Sequence, residues 1–149
     1  MRLWTVFFLS LVGMFLLDQG IKDLFVNGLD WQHRCLSLEL HYNTGVAFSL
    51  FTFLGSWLKW LQAGLILAIT VYLLVGGLIR QHPLALGLLL GAALSNLYDR
   101  FIHLGVVDYF AWHCGFNYAV FNLADVVIDG TIAWLLFQSY RAYRREKKT

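Results

Sequence analysis

The chain of 149 residues is strongly apolar, with hydrophobic residues at 59% and charged residues at only 13%. Soluble domains carry about 25% charged residues, so this composition supplies too little charge for a soluble surface. An aromatic content of 17% also excludes an intrinsically disordered chain. The composition therefore predicts a small integral membrane protein built as a single domain, residues 1–149.

The first apolar run, Leu3 to Leu17, follows Arg2 and predicts a membrane helix over about residues 3–21. A cleaved signal peptide begins in a similar way, but it ends at a small-x-small cleavage site. Here the run ends in the polar stretch Asp18-Gln19-Gly20-Ile21-Lys22. These flanks favour a helix that stays in the protein.

An outer segment, residues 23–56, follows the first helix and contains one strand pattern. The stretch Cys35 to Tyr42 alternates apolar and polar residues, which predicts a short strand in a small sheet on the membrane surface. The cysteines, Cys35 and Cys114, are too few for a disulfide framework, and their spacing does not suggest a zinc site. Whether they pair is left open by the sequence.

Three further apolar runs predict helices over about residues 57–79, 83–99 and 121–140. Roughly 20 residues of helix cross a 30 Å hydrocarbon core. The predicted fold class is an all-α membrane protein with four transmembrane helices and a small extracytoplasmic β-sheet. A tight turn before Pro83 joins the second and third helices, and residues 99–120 form a second outer loop.

The basic residues predict the orientation of these helices. The tail, residues 141–149, contains Arg141, Arg144, Arg145, Lys147 and Lys148 directly after an apolar run. Such a cluster beside a membrane helix indicates a cytoplasmic anchor on membrane lipid and not a nucleic-acid site. With Arg2 and Arg80 on the same side, both termini are expected in the cytoplasm.

This topology places four acidic residues near the outer ends of the helices: Asp18, Asp99, Asp108 and Asp125. Carboxylates at membrane depth are unfavourable and are therefore candidates for function. Asp18 lies four residues before Lys22, which predicts an ion pair on one helix face. Asp99 and Arg100 are adjacent, so each needs its own partner, and a structural role is expected for both.

Asp108 and Asp125 differ because neither has a basic partner nearby in the sequence. Two buried carboxylates side by side share a proton, which is the condition for an aspartic-peptidase pair. Asp125 and Asp129, one turn apart, form a rival pair that a small proton-coupled transporter would use as a relay. A structural scaffold is a third interpretation, but it leaves the clustered acids unexplained.

Amide side chains accompany these acids. Asn43 precedes Gly45 in the outer segment, Asn96 precedes Asp99 by three residues, and Asn122 precedes Asp125 by three. Buried amides can hold an extended peptide or orient a carboxylate, while Asn122 also suits a helix N-cap. The histidines have no metal-ligand spacing, and no nucleotide-binding motif occurs, so no metal and no cofactor are expected.

Taken in chain order, five segments resemble the motifs of the bacterial lipoprotein signal peptidases, also called signal peptidase II. Asp18-Gln19 with Lys22 resembles DQxxK, and Asn43-x-Gly45-x-Ala47-Phe48-Ser49 resembles NxGxAFS. The motif NxxDR is matched by Asn96-Leu97-Tyr98-Asp99-Arg100. The motif GxVVDF is resembled by Gly105-Val106-Val107-Asp108-Tyr109, and FNxAD by Phe121-Asn122-Leu123-Ala124-Asp125.

The resemblance implies an aspartic endopeptidase of the bacterial inner membrane, active near its periplasmic face. Its partner would be a diacylglyceryl-modified prolipoprotein, cut just before the lipidated Cys, and globomycin-type inhibitors and a monomeric state are expected. Asp108 and Asp125 would be catalytic. Substrate-binding or site-supporting roles would fall to Asn43, Gly45, Asn96, Asp99, Arg100, Asn122 and Ala124, with Asp18 and Lys22 shaping the lipid-facing entrance.

The chain departs from the family pattern before the NxxDR segment. Family members commonly have Gly-Gly and a further Gly immediately before the Asn, where this chain has Gly91-Ala92 and Ser95. Ala and Ser are small enough for close helix packing. Asp129 is an additional acid without a place in the family pattern.

Overall fold

The computed structural model describes residues 2–45, 52–115 and 119–147. Five α-helices are present in this part of the chain, with a short 3-10 helix at Thr52–Leu54 before the second. The motif residues Ala47, Phe48 and Ser49 lie outside the described residues. The α-helices are α1 (Arg2–Val26), α2 (Trp57–Val75), α3 (Leu78–Gln81), α4 (Pro83–Ile102) and α5 (Leu123–Glu146).

The helices differ in length from the predicted ones. α1 continues to Val26 instead of ending at residue 21, because Asp18 and Lys22 are buried inside the protein and do not form a polar helix end. The outer segment therefore starts after residue 26. α4 likewise continues past residue 99 to Ile102, since Asp99 and Arg100 are also buried.

The predicted second helix, residues 57–79, is interrupted. α2 ends at Val75, and Gly77 has a φ of +67°, a conformation that favours glycine and ends the helix. The short helix α3 follows and leads to Pro83, which occupies the first turn of α4. Proline is well tolerated there because the first helical N–H groups have no partner inside the helix.

The last helix begins and ends later than predicted. α5 starts at Leu123, after the N-cap residue Asn122, and runs to Glu146, so most of the basic tail predicted from residue 141 is helical. Arg144 and Arg145 lie in the last turn, where positive charge interacts favourably with the helix dipole.

Two of these helices, α1 and α2, are long and apolar enough to cross a membrane by length and composition. α1 packs mainly against α4, and two glycines on α4 permit the close approach. A Cβ atom at Gly87 would lie 2.5 Å from the carbonyl oxygen of Phe7, and one at Gly91 would lie 2.3 Å from that of Leu11. Small residues at these positions therefore bring the two helix backbones together.

The apolar core between the helices has two parts. One contains Phe7, Leu73, Ile79, Leu86 and Leu90 and joins α1 to α2, α3 and α4. The other contains Met14, Ala92 and Ala124 and joins α1 and α4 to the start of α5. The second part lies directly below the polar residues of the candidate site.

A three-stranded antiparallel sheet accompanies the helices, in the order β1 (Trp31–Gln32), β2 (Leu36–Asn43) and β3 (Val106–Trp112). β2 confirms the strand predicted from Cys35 to Tyr42. β3 lies in the outer loop, where no strand was predicted, so the outer segment is not the only place for strands. Its first residues are buried on both faces, and such a strand lacks the alternation on which the prediction relied.

β2 and β3 position two candidate site residues. Asn43 pairs with Val106 and His41 pairs with Asp108 across the strands. A disulfide joins Cys35 to Cys114 at the other end of the same strand pair, which answers the question left open by the sequence. Beyond β3 the chain returns to bridge Phe110 with Phe121, and this bridge brings α5 alongside Asp108.

Candidate active site

Asp108 on β3 and Asp125 on the first turn of α5 are joined through one residue, Asn122. The Asn122 side chain donates to Asp108 Oδ1 at 2.7 Å, and its backbone N–H donates to Asp125 Oδ2 at 3.1 Å. Its oxygen accepts from the backbone N–H of Asp125 at 2.9 Å, which completes a capping box. The predicted N-cap is thus confirmed, and the cap also links the two acids.

Two further amides complete the surroundings of the acid pair. Asn43 Nδ2 donates to Asp108 Oδ2 at 3.0 Å, and Asn96 Nδ2 donates to Asp125 Oδ1 at 2.9 Å. Each of the four carboxylate oxygens therefore accepts one N–H group. We call Asp108 and Asp125 with their three asparagines the amide-held pair.

Burial changes the acidity of Asp108. The side chain is 1% exposed, and desolvation, followed by the nearby charge of Asp125, raises the pKa of Asp108 to about 7. The amides of Asn43 and Asn122 and the more distant charge of Lys22 lower this pKa by smaller amounts. A carboxyl group with such a pKa can both hold and release a proton near neutral pH.

A second pair of acids, Asp18 and Asp99, lies beside the first and is bound to a cation. Lys22 Nζ is 2.7 Å from Asp18 Oδ2 and 2.7 Å from Asp99 Oδ2, which confirms the predicted ion pair and adds a second acid to it. All three side chains are at most 1% exposed, so Asp18 and Lys22 lie inside the helix packing. We call Asp18, Lys22 and Asp99 the charge-paired cluster.

Backbone and side-chain donors complete the charge-paired cluster. Asp18 Oδ1 accepts from the backbone N–H of Ala124 at 2.9 Å, and Asp99 Oδ2 accepts from that of Val107 at 3.1 Å. The cluster thereby connects α1 and α4 to the strand and the helix that carry Asp108 and Asp125.

Two supporting residues of the cluster were not among the predicted site residues. Ser95 Oγ donates to Asp18 Oδ2 at 2.6 Å, and Gln19 Nε2 donates to Asp99 Oδ1 at 2.7 Å. Both residues stand beside or within motif segments, which was the available signal. Ser95 replaces a glycine of the family pattern with a side chain that hydrogen-bonds to the cluster.

Arg100 and Gly45 form a separate contact. Arg100 Nη2 donates to the backbone oxygen of Gly45, and the Gly45 N–H donates to Asn43 Oδ1 at 3.0 Å. Arg100 is 7% exposed, and its Nε has no hydrogen-bond partner within the described residues. Arg100 and Lys59 also line a cavity of about 220 Å³ together with Thr44 and four other residues.

The rival pair of acids lacks such an environment. Asp129 is exposed on α5, and Asp125 directs its hydrogen bonds towards Asn96 and Asn122. Among the residues that the structure describes, no group of three His, Cys, Asp or Glu side chains is arranged to hold a metal ion.

The same fold occurs in solved structures of bacterial membrane enzymes. One, determined by the in meso method at 2.3 Å resolution, has a TM-score of 0.77 at 22% identity over 95% of this chain and 91% of its own. Another, at 1.9 Å resolution, has a TM-score of 0.70 at 21% identity over 87% and 89%. The chain thus shares the fold of these two proteins.

The family follows from sequence comparison. The family model described as "Signal peptidase (SPase) II" matches residues 10–141. The lipoprotein signal peptidase of Sulfurovum sp. is 54% identical over 94% of this chain and 96% of its own length. Those of Sulfurimonas denitrificans and Wolinella succinogenes are each 47% identical, over 92% and 87% of this chain and 89% of their own lengths. The chain belongs to the signal peptidase II family and is a protease.

Proposed function

We propose that this protein is an aspartic endopeptidase that removes signal peptides from prolipoproteins by cutting before the diacylglyceryl-modified Cys. The observation that carries the aspartic class is the amide-held pair. Asp108 is buried and Asp125 is half-buried. Both lie next to one residue, Asn122, and in the described residues their oxygens accept hydrogen bonds from amides and not from cations. Such a pair retains one proton between two carboxylates.

The reaction requires these two side chains and a water molecule. One carboxylate takes a proton from water, and the water oxygen attacks the carbonyl carbon of the scissile bond. The other carboxyl group gives its proton to the carbonyl oxygen, so the tetrahedral intermediate forms without a free oxyanion. The C–N bond then breaks as the first acid passes the proton it took from water to the nitrogen, while a hydroxyl group of the intermediate returns a proton to the second acid. The signal peptide leaves with a new carboxyl end, and the lipidated Cys gains a free amino group.

The remaining site residues support this reaction. Asn43, Asn96 and Asn122 orient the two acids, while Asp18, Lys22, Asp99 and the Ala124 N–H hold α1, α4 and α5 together. Arg100 is proposed to bind a substrate carbonyl, since its buried Nε lacks a partner in the described part of the chain and it lines a cavity. A buried donor without a partner is unfavourable until a ligand supplies an acceptor.

We propose that α4 and α5 cross the membrane together with α1 and α2, with both termini in the cytoplasm. α4 has 20 residues and α5 has 24, and about 20 are sufficient for a crossing. The one acid of α4, Asp99, binds Lys22 inside the bundle, so it need not face lipid. The amide-held pair then lies at the periplasmic face, where a lipidated substrate meets it from the membrane. The protein acts as a monomer, needs no cofactor and binds globomycin-type inhibitors.

The decisive experiment compares three substitutions in the purified protein with a diacylglyceryl prolipoprotein as substrate. Asp108→Asn and Asp125→Asn each remove one titrating group and are expected to lower kcat by at least about a thousandfold, since each step of proton transfer depends on both acids. Asp129→Asn is the matched control and is expected to retain activity, because Asp129 is exposed.

Two outcomes would contradict the proposal. Full cleavage by either purified Asp108→Asn or Asp125→Asn protein would exclude the aspartic pair. A protein that does not cleave but carries protons across vesicle membranes, and loses this transport with Asp129→Asn, would instead be a transporter.

A further inference from the structure

Lys22 makes one contact more than an ion pair needs. Its ammonium group is 2.7 Å from Asp18 Oδ2, 2.7 Å from Asp99 Oδ2 and 2.8 Å from Asn96 Oδ1. An ammonium group has three hydrogens and cannot accept a hydrogen bond. All three hydrogens are therefore used, and the third reaches Asn96, a member of the amide-held pair.

This third contact determines which way the Asn96 amide points. The oxygen and nitrogen of an asparagine amide are similar in size, so hydrogen-bond neighbours decide its orientation. Lys22 Nζ and Asn122 Nδ2 both donate towards the same Asn96 atom, at 2.8 and 3.1 Å, so that atom is Oδ1. The nitrogen then faces Asp125 Oδ1 at 2.9 Å.

The opposite orientation would place the Asn96 oxygen against the Asp125 carboxylate. Two acceptors at that distance repel each other unless the carboxyl group carries a proton on that oxygen. The orientation of Asn96 and the protonation of Asp125 are therefore coupled. A group that fixes the orientation of the Asn96 amide therefore also influences whether the Asp125 oxygen beside it carries a proton.

We propose that Lys22 is a positioning residue of the protease: its ammonium group fixes the Asn96 amide so that Asp125 receives a hydrogen bond and remains an acceptor. Lys22 touches neither Asp108 nor Asp125 through any hydrogen bond in the described structure. It acts on the reaction through Asn96 and through its charge. This inference rests on the function proposed above.

Charged groups from every neighbouring element face the acid pair. Besides Lys22, the set comprises acids and bases on α1, α4, β2, β3 and α5, namely Asp18, Asp99, Arg100, His41, Tyr109 and the two acids themselves. Without Lys22 this surrounding becomes more negative, so Asp108 holds its proton more tightly. The alkaline limb of the activity profile, where Asp108 loses this proton, should then move to higher pH.

The test measures kcat and KM against pH for Lys22→Met with a diacylglyceryl prolipoprotein. We expect kcat to fall by about a hundredfold, since misplacement of a reacting group by about 1 Å has that effect, and the alkaline limb to move to higher pH. KM should stay unchanged, because Lys22 does not line the cavity beside Arg100. Unchanged kcat and an unchanged pH profile in folded Lys22→Met protein would overturn the proposal.

Ser95→Ala provides the matched control. It removes a donor 2.6 Å from the same Asp18 oxygen but leaves the contact between Lys22 and Asn96 intact. A structural role alone predicts that both variants lose stability and keep the pH profile of the natural protein. A positioning role predicts that only Lys22→Met changes the profile, whereas an equal change in Ser95→Ala would overturn it.

A double variant covers the case in which Lys22→Met does not fold. Asp18→Asn with Lys22→Met removes one acid together with the cation, so the cluster keeps the charge that Asp18, Lys22 and Asp99 now carry together. The same loss of kcat is expected, because Asn96 again loses the ammonium group that orients it, but without the pH shift, because the net charge is unchanged. Unchanged kcat in this variant would overturn the proposal. If Asp108→Asn still cleaves, the proposed function itself has failed, a result independent of Lys22.

Discussion

The charge-paired cluster contains two buried aspartates and the amide-held pair contains one buried and one half-buried aspartate, and the two sets are held differently. Asp18 and Asp99 share the ammonium group of Lys22. Asp108 and Asp125 bind amide donors. A bound cation strongly favours the ionised state of an acid. A neutral amide donor favours that state less, so burial and the neighbouring acid can still keep a proton on the pair. The groups around each aspartate, and not the aspartates themselves, therefore distinguish the structural acids from the acids proposed to be catalytic.

The largest loss of stability is expected when an acid is removed from the charge-paired cluster, because this cluster is predicted to hold the fold together. Asp99→Ala leaves the buried Val107 N–H without its acceptor and removes one of the two acids that bind Lys22. We expect the free energy of unfolding to fall by about 3–5 kcal/mol, as when other buried ion pairs lose one partner. Denaturant unfolding of the purified protein in detergent measures this loss.

Asp23→Ala is the control for this change, because Asp23 is an exposed acid on α1, the helix that carries Asp18 and Lys22. Its expected effect is within about 0.5 kcal/mol. Equal stability of Asp99→Ala and Asp23→Ala would show that the charge-paired cluster does not stabilise the fold.

A smaller effect is expected when the helices that carry the cluster are pushed apart. A Cβ atom at Gly91 would lie 2.3 Å from the backbone oxygen of Leu11, so Gly91→Ala forces α1 away from α4. Overpacking of this kind lowers stability by about 1–3 kcal/mol, measurable as a lower midpoint of thermal unfolding. Gly64→Ala, with open space at its Cβ position, should be neutral or stabilising. Equal midpoints would contradict the close packing of α1 and α4.

The smallest expected effect is a change of activity with pH, which tests whether the amide-held pair holds a proton. Burial raises the pKa of Asp108 to about 7, so this acid is protonated below that pH and loses its proton above it. Activity that depends on the shared proton is present below pH 7 and should fall about tenfold for each pH unit well above it. Initial rates measured from pH 5 to 9 test this. A rate that stays constant to pH 9 would contradict a proton held at Asp108.

Local patterns in the sequence were sufficient for several parts of the site. The spacing of Asp18 and Lys22 predicted their ion pair, and the position of Asn122 before Asp125 predicted the helix cap. Both depend on residues within one helical turn, where geometry follows directly from the backbone. The alternation from Cys35 to Tyr42 predicted β2 for the same reason.

Contacts between residues far apart in the sequence could not be predicted from such local patterns. β3 was missed because a strand buried on both faces has no alternation. The helix ends at Val26 and Ile102 were also missed, since charged residues normally end a membrane helix but here are buried in pairs. Their partners come from other helices, and the sequence does not show which ones.

Composition alone therefore predicted a membrane protein, because a chain with 13% charged residues has too little charge for a soluble surface. The ordered motifs determined the family. Only the tertiary structure decided which acids share a cation and which share amides, because Asn96 and Asn122 come together from α4 and the start of α5. The proton chemistry depends on these long-range contacts, since each carboxylate responds to the donors and charges that surround it in three dimensions.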